Sequence, residues 1–256
     1  MQSQPFSGIF LVYKERGETL AVLLERFRSE HNLGPDTKLT YAGRLDPMAE
    51  GLVLVLAGED RFQKDKLLGL EKTYVVEILL GVGSDTHDPL GFVTDPVLKD
   101  MSESEIKEKV QKMHSITELP YPMYSSVPVE GKPLFVHARE GNTVKVPRKK
   151  IRIKEVVVKK IESRSVAELA DAVVQDIQKV QGDFRQKEII ETWKEVRSQY
   201  GNRALPIVTL VITASSGTYM RSLAEWLGQE LDTPALALSI NRTTIGTYEI
   251  KNPPKE

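Results

Sequence analysis

Apolar positions follow two rhythms along the chain. GIFLVYK, residues 8–14, is a nearly unbroken apolar, β-branched and aromatic run and predicts a strand; LVLVLAG, 52–58, predicts a buried one. Between them Leu20, Leu23, Leu24 and Phe27 recur at helical spacing behind Thr19, a residue type that caps helix N-termini. The stretch 73–93, TYVVEILLGVGSDTHDPLGFV, predicts strand, turn and strand. Ser102 with Glu105 has capping-box spacing, and Ile106, Val110 and Met113 continue it as a helix. IRIKEVVVKKI, 151–161, alternates like a half-exposed strand, and LPIVTLVIT, 205–213, predicts another, followed by a helix carrying Tyr219, Leu223, Trp226 and Leu227.

One segment interrupts this strand-rich order. Across 163–203, Val166, Leu169, Val173, Ile177 and Val180 mark one helix and Ile189, Trp193, Val196 and Tyr200 a second. Gly182 and Asp183 lie between them, and Gly201 is placed as a C-cap. The pattern predicts an inserted helical hairpin whose apolar faces bury on each other. Strands and helices elsewhere keep no strict βαβ alternation, so an α+β domain on a mixed, mostly antiparallel sheet is expected.

Composition narrows the class. The 256 residues, 40% hydrophobic and 28% charged, suffice for one large domain with its own core. With no cysteine there is no disulfide framework and no thiolate metal site, and the four histidines are far apart in sequence, so no metal site is expected. The N-terminus has no basic segment followed by a long apolar core, and no apolar run reaches a membrane-spanning length; a cytoplasmic protein is expected.

The net charge of −1 hides an uneven distribution. Residues 132–160 hold ten lysines and arginines against Glu140 and Glu155. Such a run is either a solvated strand face or a surface that tracks phosphates.

Three stretches carry candidate chemistry. In YAGRLDPMAEGL, 41–52, Asp46 precedes a proline, the ordinary setting of a turn aspartate. Gly43 and Gly51 around it permit close backbone approach, and the following strand anchors the loop, so the same carboxylate can face a cleft, with Glu50 as a possible second acid. In SSGTYMRSLAEWLG, 215–228, Arg221 falls in the first turns of a helix; it is either a surface arginine or the partner that keeps a carboxylate ionised. In KTY, 72–74, Tyr74 opens a strand as either a core aromatic or a base-stacking one.

Together with GSDTHDPLG, YPMYSSVPVEGKPLFVHAREG and VPRKKIRI, these segments occur in the order and approximate spacing of the TruB family of tRNA pseudouridine synthases, which the chain resembles from residue 8 to about 248, the hairpin excepted. The resemblance implies the mixed-sheet pseudouridine synthase fold and a cofactor-free, metal-free conversion of the T-loop uridine 55 of tRNA to pseudouridine. It puts Asp46 on the family's catalytic aspartate, Tyr74 on the tyrosine that stacks on the target base, Arg221 on the arginine that pairs with the aspartate, and Ile240 near a residue lining the base pocket. Lys14 falls on a family lysine, and Lys72, Asp85 and Asp88 lie in matching motifs and join the substrate-binding candidates. Tyr41, Gly43 and Arg44 depart from the usual His-Thr-Gly-Ser, so Tyr41 is expected to stack where the family has histidine. The chain ends at YEIKNPPKE, which implies a form without the C-terminal PUA domain; Lys150, Arg152 and Lys154 are expected to supply part of that binding surface.

GRLD with EGL is also similar to the RsuA and RluA synthases, so ribosomal RNA is the rival substrate. A non-catalytic RNA-binding module would need the basic band and not Asp46, and a glycoside hydrolase would use Asp46 with Glu50.

Overall fold

In chain order, β1 (Gly8–Lys14) leads to α1 (Leu20–Glu30), β2 (Leu39–Ala42), β3 (Ala49–Ala57), a 3₁₀ turn at Gly58–Gln63, and α2 (Lys64–Leu68) in a computed structural model that describes residues 6–249. Next come β4 (Lys72–Leu80), α3 (Glu103–Gln111), β5 (Glu118–Pro120), β6 (Pro128–Val129), β7 (Lys132–Pro133), α4 (Leu134–Glu140), β8 (Arg148–Lys150) and β9 (Ile153–Ser165). Then follow α5 (Val166–Lys179), α6 (Gln186–Tyr200), β10 (Ala204–Ala214), α7 (Met220–Glu230), β11 (Ala235–Ile245) and β12 (Tyr248–Glu249). Residues 1–5 and 250–256, on which the expectations about the chain ends rest, lie outside the described residues.

The main sheet has the order β1-β3-β11-β4-β10-β9, with β2 beside β3 and β12 beside β11. Every pairing is antiparallel except β3 with β11. The fold is therefore α+β on a mostly antiparallel sheet. That one parallel pairing sets Ile240 opposite Ala49 and Arg242 opposite Gly51. On its other edge β11 sets Arg242 opposite Tyr74. Gly51, at φ +110, is required there: a Cβ would run into the Arg242 backbone.

Side-chain alternation sorts the sheet into two faces. Val76, Ile78, Val208, Leu210 and Ala237 meet α1, α3 and α7 through Leu23, Phe27, Ile106, Leu223 and Leu227. Leu79, Ile207, Leu236 and Leu238 meet α5 and α6 through Leu169, Val173, Ile177, Ile189 and Trp193. The helical pair thus covers a face of the sheet as well as itself. Its start is a capping box at Ser165 and Glu168, a signal the sequence reading passed over, whereas at α3 the Ser102 hydroxyl only accepts from the Glu105 amide. Gly201 ends α6 in right-handed geometry, not as a left-handed cap.

One expectation needs correction. Residues 82–93 form no second strand; only a bridge between Ser84 and Val93 remains. Side chains replace the ladder: the Asp88 carboxylate accepts from Thr86 Oγ1 at 2.8 Å and the Leu90 amide at 2.9 Å, and Ser84 Oγ donates to the Asp88 carbonyl. Along 150–154 the alternation of exposed charges and buried isoleucines persists across a break between two strands. Lys150 ends β8, and Lys154 falls at a register shift in the β9–β10 pairing. All three are exposed, Ile151 and Ile153 are buried, and Lys154 pairs with Glu71 at 2.8 Å.

Trp193 is the largest fully buried side chain, and its indole nitrogen donates to the Pro89 carbonyl at 3.1 Å. Trp193→Ala is expected to cost about 3–5 kcal/mol and to lower the midpoint of one cooperative thermal transition by on the order of 10 °C. Calorimetry checks this; an unchanged midpoint would mean that the helical pair melts apart from the sheet.

Candidate active site

The loop 43–48 enters β3 at the end of the sheet where Tyr74 lies near the start of β4 and where β10 hands over to α7. A cavity of about 690 Å³ opens there, bordered by Asp46, Tyr74, Asp88, Arg221 and Ile240. Arg221 is buried at 2% exposure in the first turn of α7. Its Nε donates to Asp46 Oδ2 at 2.9 Å, Nη1 to the Thr86 carbonyl at 2.8 Å and Nη2 to the Tyr124 carbonyl at 3.2 Å. Asp88 Oδ2 stands 3.7 Å from the same Nε. Burial by itself would lower the arginine's pKa; Asp46 and Asp88 raise it on balance, so it stays cationic. Burial pushes the Asp88 carboxyl up, and Arg221 opposes that. Asp46 keeps 35% of its side chain exposed toward the cavity. The arrangement holds one carboxylate in fixed orientation, with an oxygen accessible to a ligand, above a buried guanidinium that neutralises it.

Two buried cations lock the loop under Asp46. Arg242 donates to the carbonyls of Leu52 at 2.7 Å, Arg44 at 3.1 Å and Gly43 at 3.2 Å. Lys14 Nζ, fully buried, donates to the carbonyls of Glu15, Pro47 and Ala49. Lys14, placed among the substrate-binding candidates, does not border the cavity: its three donors are spent on the backbone around Pro47. Asp85 is displaced in the same way. It pairs with Arg185 at 3.0 Å and accepts from the Phe92 amide, outside the cavity lining. Lys72 does border the cavity but is tied to the carbonyls of Leu68 and Leu70 and to Ser216 Oγ. Tyr41, Gly43 and Arg44 form one rim, where Lys64 lies 5.6 Å from the Tyr41 ring centre. Lys150, Arg152 and Lys154 do not border the cavity; Lys149, which the candidate set passed over, lies across Gly217 at its wall.

Burial pushes the Lys14 pKa down to about 8, against the pull of Glu18, Asp46 and Glu50. A lysine lowered by folding binds fewer protons folded than unfolded between about 8 and its ordinary 10.5, so stability rises with pH across that window. Relative to Lys14→Met, the protein is expected to gain about 2 kcal/mol between about pH 7.5 and about pH 9.5. Denaturant melts of both proteins at the two pH values measure it; a constant difference would mean that Lys14 titrates normally.

Residues that local pattern gave no reason to choose complete the site. Arg242 lies in a plain strand run, and only its register against Gly51 and Tyr74 reveals its task. Ser125 borders the cavity with a buried hydroxyl that has no hydrogen-bond partner among the described residues. Asp183, Phe184 and Arg185 reach the cavity from the α5–α6 connection. Among the described residues no group of three or more His, Asp or Glu is arranged to hold a metal ion, and no helix is long and apolar enough to cross a membrane.

Comparison with known proteins places this geometry. Residues 31–175 match the family model described as TruB family pseudouridylate synthase (N terminal domain). A tRNA pseudouridine synthase B from Mesoplasma florum is 28% identical over 248 residues, 96% of this chain and 71% of that protein. One from Caldicellulosiruptor saccharolyticus is 27% identical over 245 residues, 96% of this chain and 69% of that protein. Among solved structures, a chain of a Cbf5-Nop10-Gar1 complex superposes with a TM-score of 0.57 at 18% identity, over 96% of this chain and 50% of that one. A chain of an H/ACA RNP bound to a substrate RNA containing 2'-deoxyuridine gives 0.53 at 16%, over 96% and 49%. The present chain thus spans about half the length of those solved chains, and the likeness to them is one of fold. With more than half of its residues matched by the family model, the chain belongs to the TruB family of pseudouridylate synthases.

Proposed function

We infer that this protein isomerises uridine to pseudouridine in tRNA, at the T-loop uridine 55, with Asp46 acting on the ribose of the target nucleotide. The observation that carries the reading is the Asp46–Arg221 pair at 2.9 Å on the floor of a cavity bordered by Tyr74 and Ile240. The reaction breaks the N1–C1′ bond, turns the uracil and joins C5 to C1′; C5 loses a proton and N1 gains one, with no net redox change. An ionised carboxylate serves such a step as nucleophile at C1′ or base at C2′. Arg221 supplies the fixed positive charge that favours the anion. Tyr74 and Ile240 would hold the detached base and exclude water, so that the sugar rejoins carbon instead of taking up hydroxide.

The target base must leave its stack to reach such a floor, which a tRNA loop allows more readily than a duplex. Tritium release from C5-labelled uridine, in tRNA transcripts changed one uridine at a time, tests the assignment. Release from tRNA that survives replacement of uridine 55 would sink that position, release only with ribosomal RNA would sink the tRNA target, and release of free uracil would sink isomerisation.

The exposed band at Lys150, Arg152 and Lys154 supports T-arm binding by charge. Substituting all three by glutamine is expected to weaken tRNA binding and to flatten its salt dependence by roughly one unit per lost phosphate contact. The single-turnover rate on saturating RNA should hold, because none of the three borders the cavity. An unchanged salt slope would make the band a solvated strand face.

A further inference from the structure

The α5–α6 pair has no assigned part in the reaction, yet its connection ends in the cavity wall. Arg185 is the pivot. It holds φ +63, a left-handed conformation unfavourable for a side chain with a Cβ, immediately before α6. Such a conformation persists where its surroundings over-determine it, and here they do. The guanidinium carbon lies 4.6 Å from the ring centres of both Phe92 and Tyr124. Nη1 reaches Asp85 Oδ2 and the Tyr124 hydroxyl, each at 3.0 Å. Three chain segments, 85–92, 124 and 185, are fastened by one side chain.

The fastening continues to the reacting group. The carbonyl of the same Tyr124 accepts from Arg221 Nη2, and Thr86, next to Asp85, accepts from Arg221 Nη1. Two of the three acceptors that orient Arg221 beside Asp46 therefore lie on segments held by Arg185. A second tie runs to the Asp46 loop itself: the Gln181 amide donates to the Gly17 carbonyl at 3.2 Å, and the Gly17 amide donates to the Pro47 carbonyl at 2.8 Å.

We propose that Arg185 is a positioning residue for the reaction: by clamping Tyr124 against Asp85 it fixes the acceptors of Arg221, and so makes the inserted helical pair part of the catalytic framework. The proposal rests on the isomerase reading. It is separable from it, because the wild-type protein must first release tritium from uridine; no release sinks the function, whereas the proposal is judged on variants of an active protein. Arg185→Gln is expected to lower the single-turnover rate at saturating tRNA by about 10- to 100-fold, since small misplacements of reacting groups cost rates of that order. Its tRNA dissociation constant should stay within about threefold.

Tyr124→Phe keeps the ring and removes only the hydroxyl that accepts from Arg185, so it supplies a milder variant should Arg185→Gln fold poorly. It should lower the rate less, and the double variant should be no slower than Arg185→Gln alone. A lower melting temperature with an unchanged saturating rate, or purely additive rate losses in the double variant, would overturn the proposal and leave Arg185 a structural clamp.

Discussion

Asp46→Asn is expected to reduce single-turnover isomerisation by on the order of 10⁴-fold or more while changing tRNA affinity by less than about threefold. The amide matches the carboxylate in shape, and one oxygen can still accept from Arg221 Nε, so the loop held by Lys14 and Arg242 keeps its path. What disappears is the negative charge and with it the nucleophile or base. Loss of the charge also leaves Arg221 facing only Asp88, whose carboxyl is biased toward the neutral form by burial. Rapid-quench tritium release and filter binding on the same preparation separate the two effects. Near-normal turnover by the variant would remove Asp46 from the chemistry.

Arg221→Lys should cost less rate than Asp46→Asn but lower stability as well. The arginine serves Asp46, Thr86 and Tyr124 from three nitrogens at once, in a plane, at 2% exposure. An ammonium is a compact point charge that cannot reproduce that fork, so buried acceptors lose their donor. The expected costs are about 10²- to 10³-fold in single-turnover rate, and about 2–3 kcal/mol of folding free energy. Stopped-flow assays and denaturant melts measure them. A variant that turns over normally would place the essential cation elsewhere, and one that melts normally would mean that the carbonyls find other donors.

Local pattern was enough for elements whose burial repeats along the chain. The continuous runs at 8–14 and 205–213, and Thr19 ahead of a one-sided apolar stripe, correspond to β1, β10 and a capped α1. It failed at 82–93, where the alternation that suggests a strand coexists with Ser84, Thr86 and Asp88, polar side chains able to satisfy the backbone without a partner strand. Asp46, Tyr74, Arg221 and Ile240 were legible as candidates because whole motifs surround them, and all four border one cavity. Lys14 was misplaced for a physical reason. The family motif set it among the substrate-binding candidates, and only the fold shows three carbonyls converging on it. Arg185 and Arg242 carry no local mark at all, since their partners lie about 60 to 200 positions away.

The parallel register between β3 and β11 has a further consequence during synthesis. Asp46 is made early, but Arg221 follows it by 175 positions, and the Arg242 that seals Leu52 lies 190 positions beyond that residue. A growing chain can form β1, α1 and β3 by neighbouring contacts, yet β11, which must lie between β3 and β4, is made only after α7. Until it inserts, the central position of the sheet is empty and the carboxylate has no fixed counter-charge. Closing so long a loop is entropically costly and slow. The site is expected to be complete only once β11 has docked between β3 and β4.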